Sequence, residues 1–230
     1  MIEISNLSKH FFIHGKRLDV IKNLNLTIKK DKITVVLGRS GCGKTTLLRL
    51  IAGLESLSAG KIKIKSDAKI GFVFQEARLM PFLNVYENIV FSLKKHEISE
   101  AKINNLISMI GLNDFKFAAV SQLSGGMSSR VALARVLAYE ANLILMDEPF
   151  AALDAFTRAA MQVEILKIQE GKTILFVTHN IDEALFLADE IILLEKGGIK
   201  SSYDLSNLAR PRDLLCDEAI KLKREILAHI

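Results

Sequence analysis

A doubly wound, mostly parallel α/β sheet with an added antiparallel β layer and an inserted helical segment is the architecture this sequence predicts, on three observations. Short continuous apolar runs (Ile33–Leu37, Ile70–Phe74, Leu143–Met146, Ile174–Val177 and Ile191–Leu194) alternate with helical stretches, the pattern of parallel strands buried on both faces. The N-terminal segment and the stretch around Ile62 alternate apolar and polar residues instead, as half-buried antiparallel strands do. From about Glu76 to Val131 no strand pattern is convincing, so that stretch reads as a helical insertion.

Taken in order, Ile2 and Ile4 open the alternating layer, Leu24, Leu26 and Ile28 continue it, and Ile62 and Ile64 extend it. Within the insertion, Ile103, Leu106, Ile107 and Ile110 fall at i, i+3, i+4 and i+7, one apolar face of an amphipathic helix. At 230 residues the chain has ample length for a core, and it shows no repeat or linker that would divide it. The expected organisation is one domain over 1–230, with a core from 1–75 and 136–230 and a helical subdomain over 76–135.

Composition excludes much and selects little. The 31 Lys+Arg against 26 Asp+Glu give a net charge of +5, half the residues are apolar and a quarter charged. That is a globular balance, not a disordered or fibrous one. The basic excess permits nucleic acid, an anionic membrane surface or a phosphate-bearing ligand, without choosing among them. Lys61, Lys63 and Lys65 alternate with isoleucine and read as a solvated strand face. No run approaches the roughly 18 apolar residues a membrane crossing needs. The N-terminus lacks the apolar stretch of a secretory leader. Cys42 and Cys216 offer neither a disulfide framework nor metal-ligand spacing, so a reducing cytosol is expected. A mean hydropathy of +0.25 hints at a surface that meets a partner.

The chemistry is concentrated in a few motifs. Ile33–Leu37 runs into Gly38-Arg39-Ser40-Gly41-Cys42-Gly43-Lys44-Thr45, followed by a helix-like run Thr46–Ala52: GxxxxGK[ST] in the strand–loop–helix setting it requires. Glycines let backbone N–H groups turn onto phosphate oxygens, and the helix presents its positive end to them. Lys44 is expected to reach the β- and γ-phosphates and Thr45 to ligate Mg²⁺, while Cys42 reads as a small filler. The strand Leu143–Met146 ends in Asp147 and Glu148, placing one carboxylate to hold Mg²⁺ and the next as general base toward water. Together these predict a Mg²⁺-dependent nucleotide triphosphatase. The Asn-Lys-x-Asp base-recognition motif of GTPases is missing.

Leu123-Ser124-Gly125-Gly126-Met127, before a helix expected over Ser129–Tyr139, is a second phosphate-binding helix N-terminus in the same chain. One nucleotide does not readily lie against two such ends of one monomer, so the second suggests use in trans across a two-fold dimer. This segment resembles the signature motif of ABC-type ATPases, and the rest of the set is in register. Gln75 stands where the family carries its Q-loop glutamine, Pro149–Asp154 resembles the D-loop, and His179 stands like the switch histidine. Phe11 lies where an aromatic stacks on adenine, with Phe12 as its rival. The segments Phe74–Phe82 and Pro149–Arg158, and the tail around Arg210–Asp213, look like the ATP-binding subunits of nitrate/sulfonate/taurine-type importers.

The resemblance implies a RecA-like core and an ATP-sandwich homodimer. Each ATP would be held by Phe11, Gly38, Arg39, Ser40, Gly41, Cys42, Gly43, Lys44, Thr45, Thr46 and Gln75 of one chain, with Mg²⁺ on Thr45, Gln75 and Asp147. Ser124, Gly125 and Gly126 of the other chain would complete the γ-phosphate site. Glu148 would orient the water, His179 would contact the γ-phosphate, and Asp154 would link the two sites. It also implies integral membrane permease subunits docked at a groove near Arg78–Phe82, and indirectly a solute-binding protein. The location would be peripheral, on the cytoplasmic face of the inner membrane. Leu79, Met80, Pro81 and Phe82, apolar and adaptable, fit a helix-in-groove contact, with the ordinary core of the helical subdomain as the alternative. The departures are Met127, Ser128 and Ser129 in the signature helix, Asn180 after the switch histidine, and Phe for Tyr at position 11. The rival reading is a soluble ABC-type ATPase acting on DNA or ribosomes. The 49 residues from Gln75 to Ser124 leave no room for a long coiled-coil insertion, and no nucleic acid partner is expected.

Overall fold

The computed structural model describes residues 2–229. A three-stranded antiparallel sheet is formed by β1 (Ile2–Ile13), β2 (Lys16–Ile28) and β4 (Ala59–Ile64), in the order β2-β1-β4. Ile2 stands opposite Ile28 on one side and Ile64 on the other, and Ile4 opposite Leu26 and Ile62. The alternating residues thus share one face, as the period of two requires.

The larger sheet has the order β5-β6-β7-β3-β8-β9: β3 (Ile33–Leu37), β5 (Ile70–Val73), β6 (Leu143–Asp147), β7 (Thr173–Thr178), β8 (Glu190–Glu195) and β9 (Gly198–Asp204). The first five strands of that order run parallel, and β9 pairs antiparallel with β8. β9 has no counterpart in the sequence reading, because Gly198-Ile199-Lys200-Ser201-Ser202-Tyr203 is an edge strand too polar to stand out.

Each central strand feeds two cores. Ile33, Val35 and Leu37 of β3, Ile144 and Met146 of β6, and Ile174 and Phe176 of β7 face one side. There they meet α4 (Gly125–Ala138), α5 (Ala155–Ile168), α6 (Ile181–Leu187) and Ile226 of α7 (Asp217–Ala228). Val36, Leu143, Leu145, Leu175 and Val177 face the other side, where α1 (Lys44–Ile51) lies between the two sheets.

Residues 76–135 contain α2 (Val85–Val90), α3 (Glu100–Met109) and short 3₁₀ turns, with only an isolated Asn84–Ala119 bridge of β type. Their own core gathers Val85, Ile89, Ile103, Ile107, Ile110 and Leu112, and Leu106 packs against it partly buried. Two boundaries differ from expectation. The helix expected from Ser129 begins at Gly125, because the Ser124 hydroxyl caps it by accepting from Met127 N at 3.2 Å. It ends at Ala138, one residue before the Tyr139 expected. Among the described residues no helix is long and apolar enough to cross a membrane.

The N-terminal end of β3 is held by Asp189, which is 5 % exposed. Its Oδ2 accepts from Ile33 N at 2.8 Å, and Lys32 Nζ and Arg210 Nη2 each stand 3.3 Å from Oδ1. Arg210 and Arg212 also donate to the carbonyls of Leu187 and Leu185 at the end of α6 (2.8 and 2.7 Å), which pins the C-terminal tail to the core. Asp189→Ala leaves the buried Ile33 N–H without its acceptor and takes the carboxylate away from Lys32 and Arg210, so it should cost about 2 kcal/mol and lower the melting temperature by roughly 4–8 °C. Asp189→Asn, which keeps an acceptor, should lose less; equal losses by calorimetry would show that the charge and not the acceptor matters.

Candidate nucleotide site

At the C-terminal edge of the sheet, beside the central strand, lies a cavity of about 600 Å³. It is lined by the loop after β3 (Gly38, Arg39, Ser40, Gly41, Gly43, Lys44, Thr45 and Thr46) together with Leu37, Val20, Gln75, Glu148 and His179. The loop's course depends on two glycines. A Cβ on Gly38 would sit 2.4 Å from the Leu194 carbonyl oxygen and 2.8 Å from Cys42 Sγ. Gly43, at φ +108°, would place one 2.8 Å from Ile21 Cδ1.

Lys44 is 5 % exposed, and its Nζ donates to the carbonyls of Gly38 at 2.8 Å and Arg39 at 3.0 Å. Glu148 Oε1 lies 4.0 Å from it. Thr45 Oγ1 donates to Asp147 Oδ1 at 2.9 Å, which joins the first turn of α1 to the end of β6. Burial pushes the Asp147 carboxyl above the usual carboxylate range, against the pull of the Thr45 hydroxyl, and the neighbouring Glu148 charge adds to the rise. Hard oxygen donors and a desolvated carboxylate that gains from a counter-charge fit a divalent cation on Thr45 and Asp147; Thr45 and the exposed Gln75 amide line the cavity, while Asp147 lies just behind the wall, reached through the Thr45 hydroxyl.

Glu148 follows at φ +45°, a left-handed conformation that a non-glycine residue adopts at some cost, and its N–H donates to Val177 O at 3.0 Å. That turn points its carboxylate toward His179, whose Nδ1 donates to Glu148 Oε2 at 2.9 Å. A carboxylate only accepts, so the proton sits on Nδ1. His179 is exposed, and Glu148 is largely enclosed.

Several expected residues lie elsewhere. Cys42 does not line the cavity: it is half-buried against the core between the sheets, and burial pushes its thiol up. Phe11 does not line it either; its ring lies under Lys9 Nζ, 4.6 Å from the centroid, while Phe12 is 69 % exposed. Val20 takes the place by the loop. β1 and β2 slip register between Lys9 and His10, leaving Val20 without an opposite residue, a displacement no sequence pattern announces. Ser124, Gly125, Gly126 and Asp154 are also absent from the wall. Ser124 and Gly125 are exposed, and Gly126 packs close to Ala152 and Leu153. Asp154 caps α5, accepting from Phe156 N and Thr157 N at 3.0 Å each and from the Thr157 hydroxyl at 2.6 Å, which holds its carboxyl below the usual range. Ser129 turns inward to the Gly125 carbonyl at 3.1 Å, and Asn180 caps α6 through Asp182 N and Glu183 N. Both departures from the signature and switch patterns therefore have local work.

The Arg78–Phe82 segment is tightly held. Asn88, fully buried, accepts from Met80 N at 2.8 Å and donates to the carbonyls of Met80, Leu83 and Asn84 at 3.2, 3.2 and 3.0 Å. Arg135 donates to the Ala77 and Arg78 carbonyls, and Arg78 stacks over the Phe74 ring at 4.3 Å. Phe82 is left 77 % exposed. Of the four apolar residues read there, Leu79 packs against the helical core.

The family pattern described as ABC transporter matches residues 21–151. An ABC transporter ATP-binding protein of Methanocaldococcus jannaschii is 43 % identical over 98 % of this chain and 90 % of its own length. An aliphatic sulfonates import ATP-binding protein of Bacillus cereus is 39 % identical over 98 % of this chain and 94 % of its own. Among solved structures, a dimeric ATP-binding cassette in a post-hydrolysis state bound to ADP and Pi superposes with a TM-score of 0.80 at 32 % identity, covering 89 % of this chain and 99 % of that one.

Because ionising buried Asp147 opposes folding, its contribution is most favourable at low pH and is lost as pH rises through its raised pKa. Without divalent ions at pH 7, Asp147→Asn should therefore be at least as stable as the parent, by on the order of 1 kcal/mol, with the difference closing on acidification. Where Mg²⁺ with nucleotide raises the parent's melting temperature, the same variant should lose that rise. A large destabilisation at pH 7 in fluorimetric melts would mean that the carboxylate already has a full counter-charge.

Proposed function

The chain belongs to the ABC transporter ATP-binding family and is one of its ATPases, and from that premise we propose that it is the hydrolysing subunit of a membrane importer for a small solute. Sulfonates are the solute class best supported, through the aliphatic sulfonate importer relative, with nitrate and taurine as the neighbouring alternatives. The observation that carries the proposal is the Glu148–His179 pair lining the same cavity as the glycine-lysine loop, with Glu148 Oε1 4.0 Å from Lys44 Nζ.

In this reading, Lys44 exchanges its loop carbonyls for phosphate oxygens, while the N–H groups of the loop hold the remaining charge. Magnesium, held by Thr45, Asp147 and Gln75, would supply neutralisation of the triphosphate charge. Glu148 takes a proton from water, and His179, by holding the Glu148 carboxylate through Nδ1, fixes the base in place. Phe11 is proposed to contact adenine at the cavity's open side.

Ser124 and Gly125 are exposed at a capped helix N-terminus, and together with Gly126 they stay off this chain's own cavity wall, which supports their use toward the nucleotide of a second copy. Asp154, fixed as a cap, would then present the turn between the two sites. Closure excludes water from the phosphates and opening follows product loss, and the loop bearing Phe82 transmits that motion to a permease. A permease docked at that loop would hold the chain peripherally on the cytoplasmic face of the membrane.

Glu148→Gln should reduce hydrolysis at least ~100-fold while retaining nucleotide affinity, as expected for loss of a general base. It should also trap a dimer in ATP, seen by size-exclusion chromatography. Unreduced turnover would reject the base assignment. Isolation from native membranes in mild detergent should recover a multi-span protein in equal amount by mass spectrometry; recovery with nucleic acid or ribosomes alone would reject the transporter reading.

A further inference from the structure

Behind His179 lies a buried polar group that the hydrolytic site does not itself use. Glu183, 7 % exposed, accepts from the Thr178 hydroxyl at 2.6 Å through Oε2. The same hydroxyl oxygen accepts from Asn180 N at 3.0 Å, so Thr178 ties together the backbone on both sides of His179. From the other direction, Arg158 of α5 places Nε 3.7 Å from Glu183 Oε1 and donates from Nη2 to the Leu153 carbonyl at 2.9 Å. Leu153 is the residue before Asp154. Burial pushes the Glu183 carboxyl above its usual range, opposed first by the Thr178 hydroxyl and then by the Arg158 charge.

We propose that Arg158, Glu183 and Thr178 act as one positioning unit that makes the placement of His179 against Glu148 depend on the conformation of the Leu153–Asp154 turn. The connection is physical at each step: carbonyl to guanidinium, guanidinium to carboxylate, carboxylate to hydroxyl, hydroxyl to the amide beyond the histidine. None of the three lines the cavity, so none contacts nucleotide directly. A burial-only role does not require the arginine that compensates Glu183 to be anchored on the one carbonyl preceding Asp154. The inference rests on the ATPase reading above. It adds that a displacement of the Leu153–Asp154 turn, where we place a second copy, would alter the hydrolytic geometry without touching the nucleotide.

The test is steady-state ATP hydrolysis by the chain as purified from its native membranes, for Arg158→Met, Glu183→Gln and their double variant. Glu148→Gln serves as control, and nucleotide affinity and melting curves are recorded for each. Each single change should lower kcat about tenfold with KM for ATP within twofold, and the double should be no slower than the slower single, since the two act as a unit. Should either charge change leave too little folded protein, Thr178→Val should show the same kcat loss at unchanged KM and Thr178→Ser should restore it. Multiplying losses in the double, a rise in KM matching the fall in kcat, or equal behaviour of the Val and Ser variants would overturn the unit. Absence of hydrolysis in the parent, or its persistence in Glu148→Gln, would overturn the ATPase reading and this inference with it; normal control behaviour isolates a failure to the unit alone.

Discussion

The tight exit of the chain from β3 is the constraint on which the site depends. Gly38 lies so close to the Leu194 carbonyl of β8 that no side chain fits between them. The loop must therefore turn immediately at the sheet edge and cannot spread over it. That turn lets Lys44 fold back onto its own loop, and it sets α1 between the two sheets with Thr45 in reach of Asp147. A looser exit would separate helix start from strand end and leave the Asp147 carboxylate buried with no hydroxyl against it.

Three buried carboxylates show how position decides what a charge does. Asp189 sits at the N-terminal end of the strands, surrounded by an amide, a lysine and an arginine, and serves the fold. Asp147 and Glu183 sit toward the C-terminal ends; each accepts from one hydroxyl, Glu183 with only the more distant Arg158 charge at 3.7 Å besides, and burial raises both. The fold is thus well compensated at the closed edge of its sheet and under-compensated at the edge where chemistry takes place, as expected where stability is traded for function.

What could be read from the sequence was what is local in the chain. A strand, a glycine loop, a lysine and a helix are contiguous, so the course of the Gly38–Thr45 loop and the Asp147–Glu148 strand end were legible, as were the alternating isoleucines of the antiparallel layer. The long apolar runs identified the parallel strands because burial on both faces leaves no room for polar residues. β9 was hidden by its polarity, and the start of α4 by glycines that weaken a helix interior but are tolerated beside a serine cap. Val20 reaches the cavity only through a register slip in β1–β2. The Arg158–Glu183 contact joins residues from separate helices through orientation alone, which no residue spacing encodes.

The buried Asn88 amide, satisfied by one amide and three carbonyls of residues 80–84, has a thermodynamic consequence for whatever meets Phe82. The backbone there has already surrendered its conformational freedom on folding, so docking orders little beyond one aromatic side chain. Association at this loop should resemble a rigid key entering a lock more than a segment folding onto a surface. Changes in binding strength between related partners would then trace to the partner's shape and not to adjustment on this side.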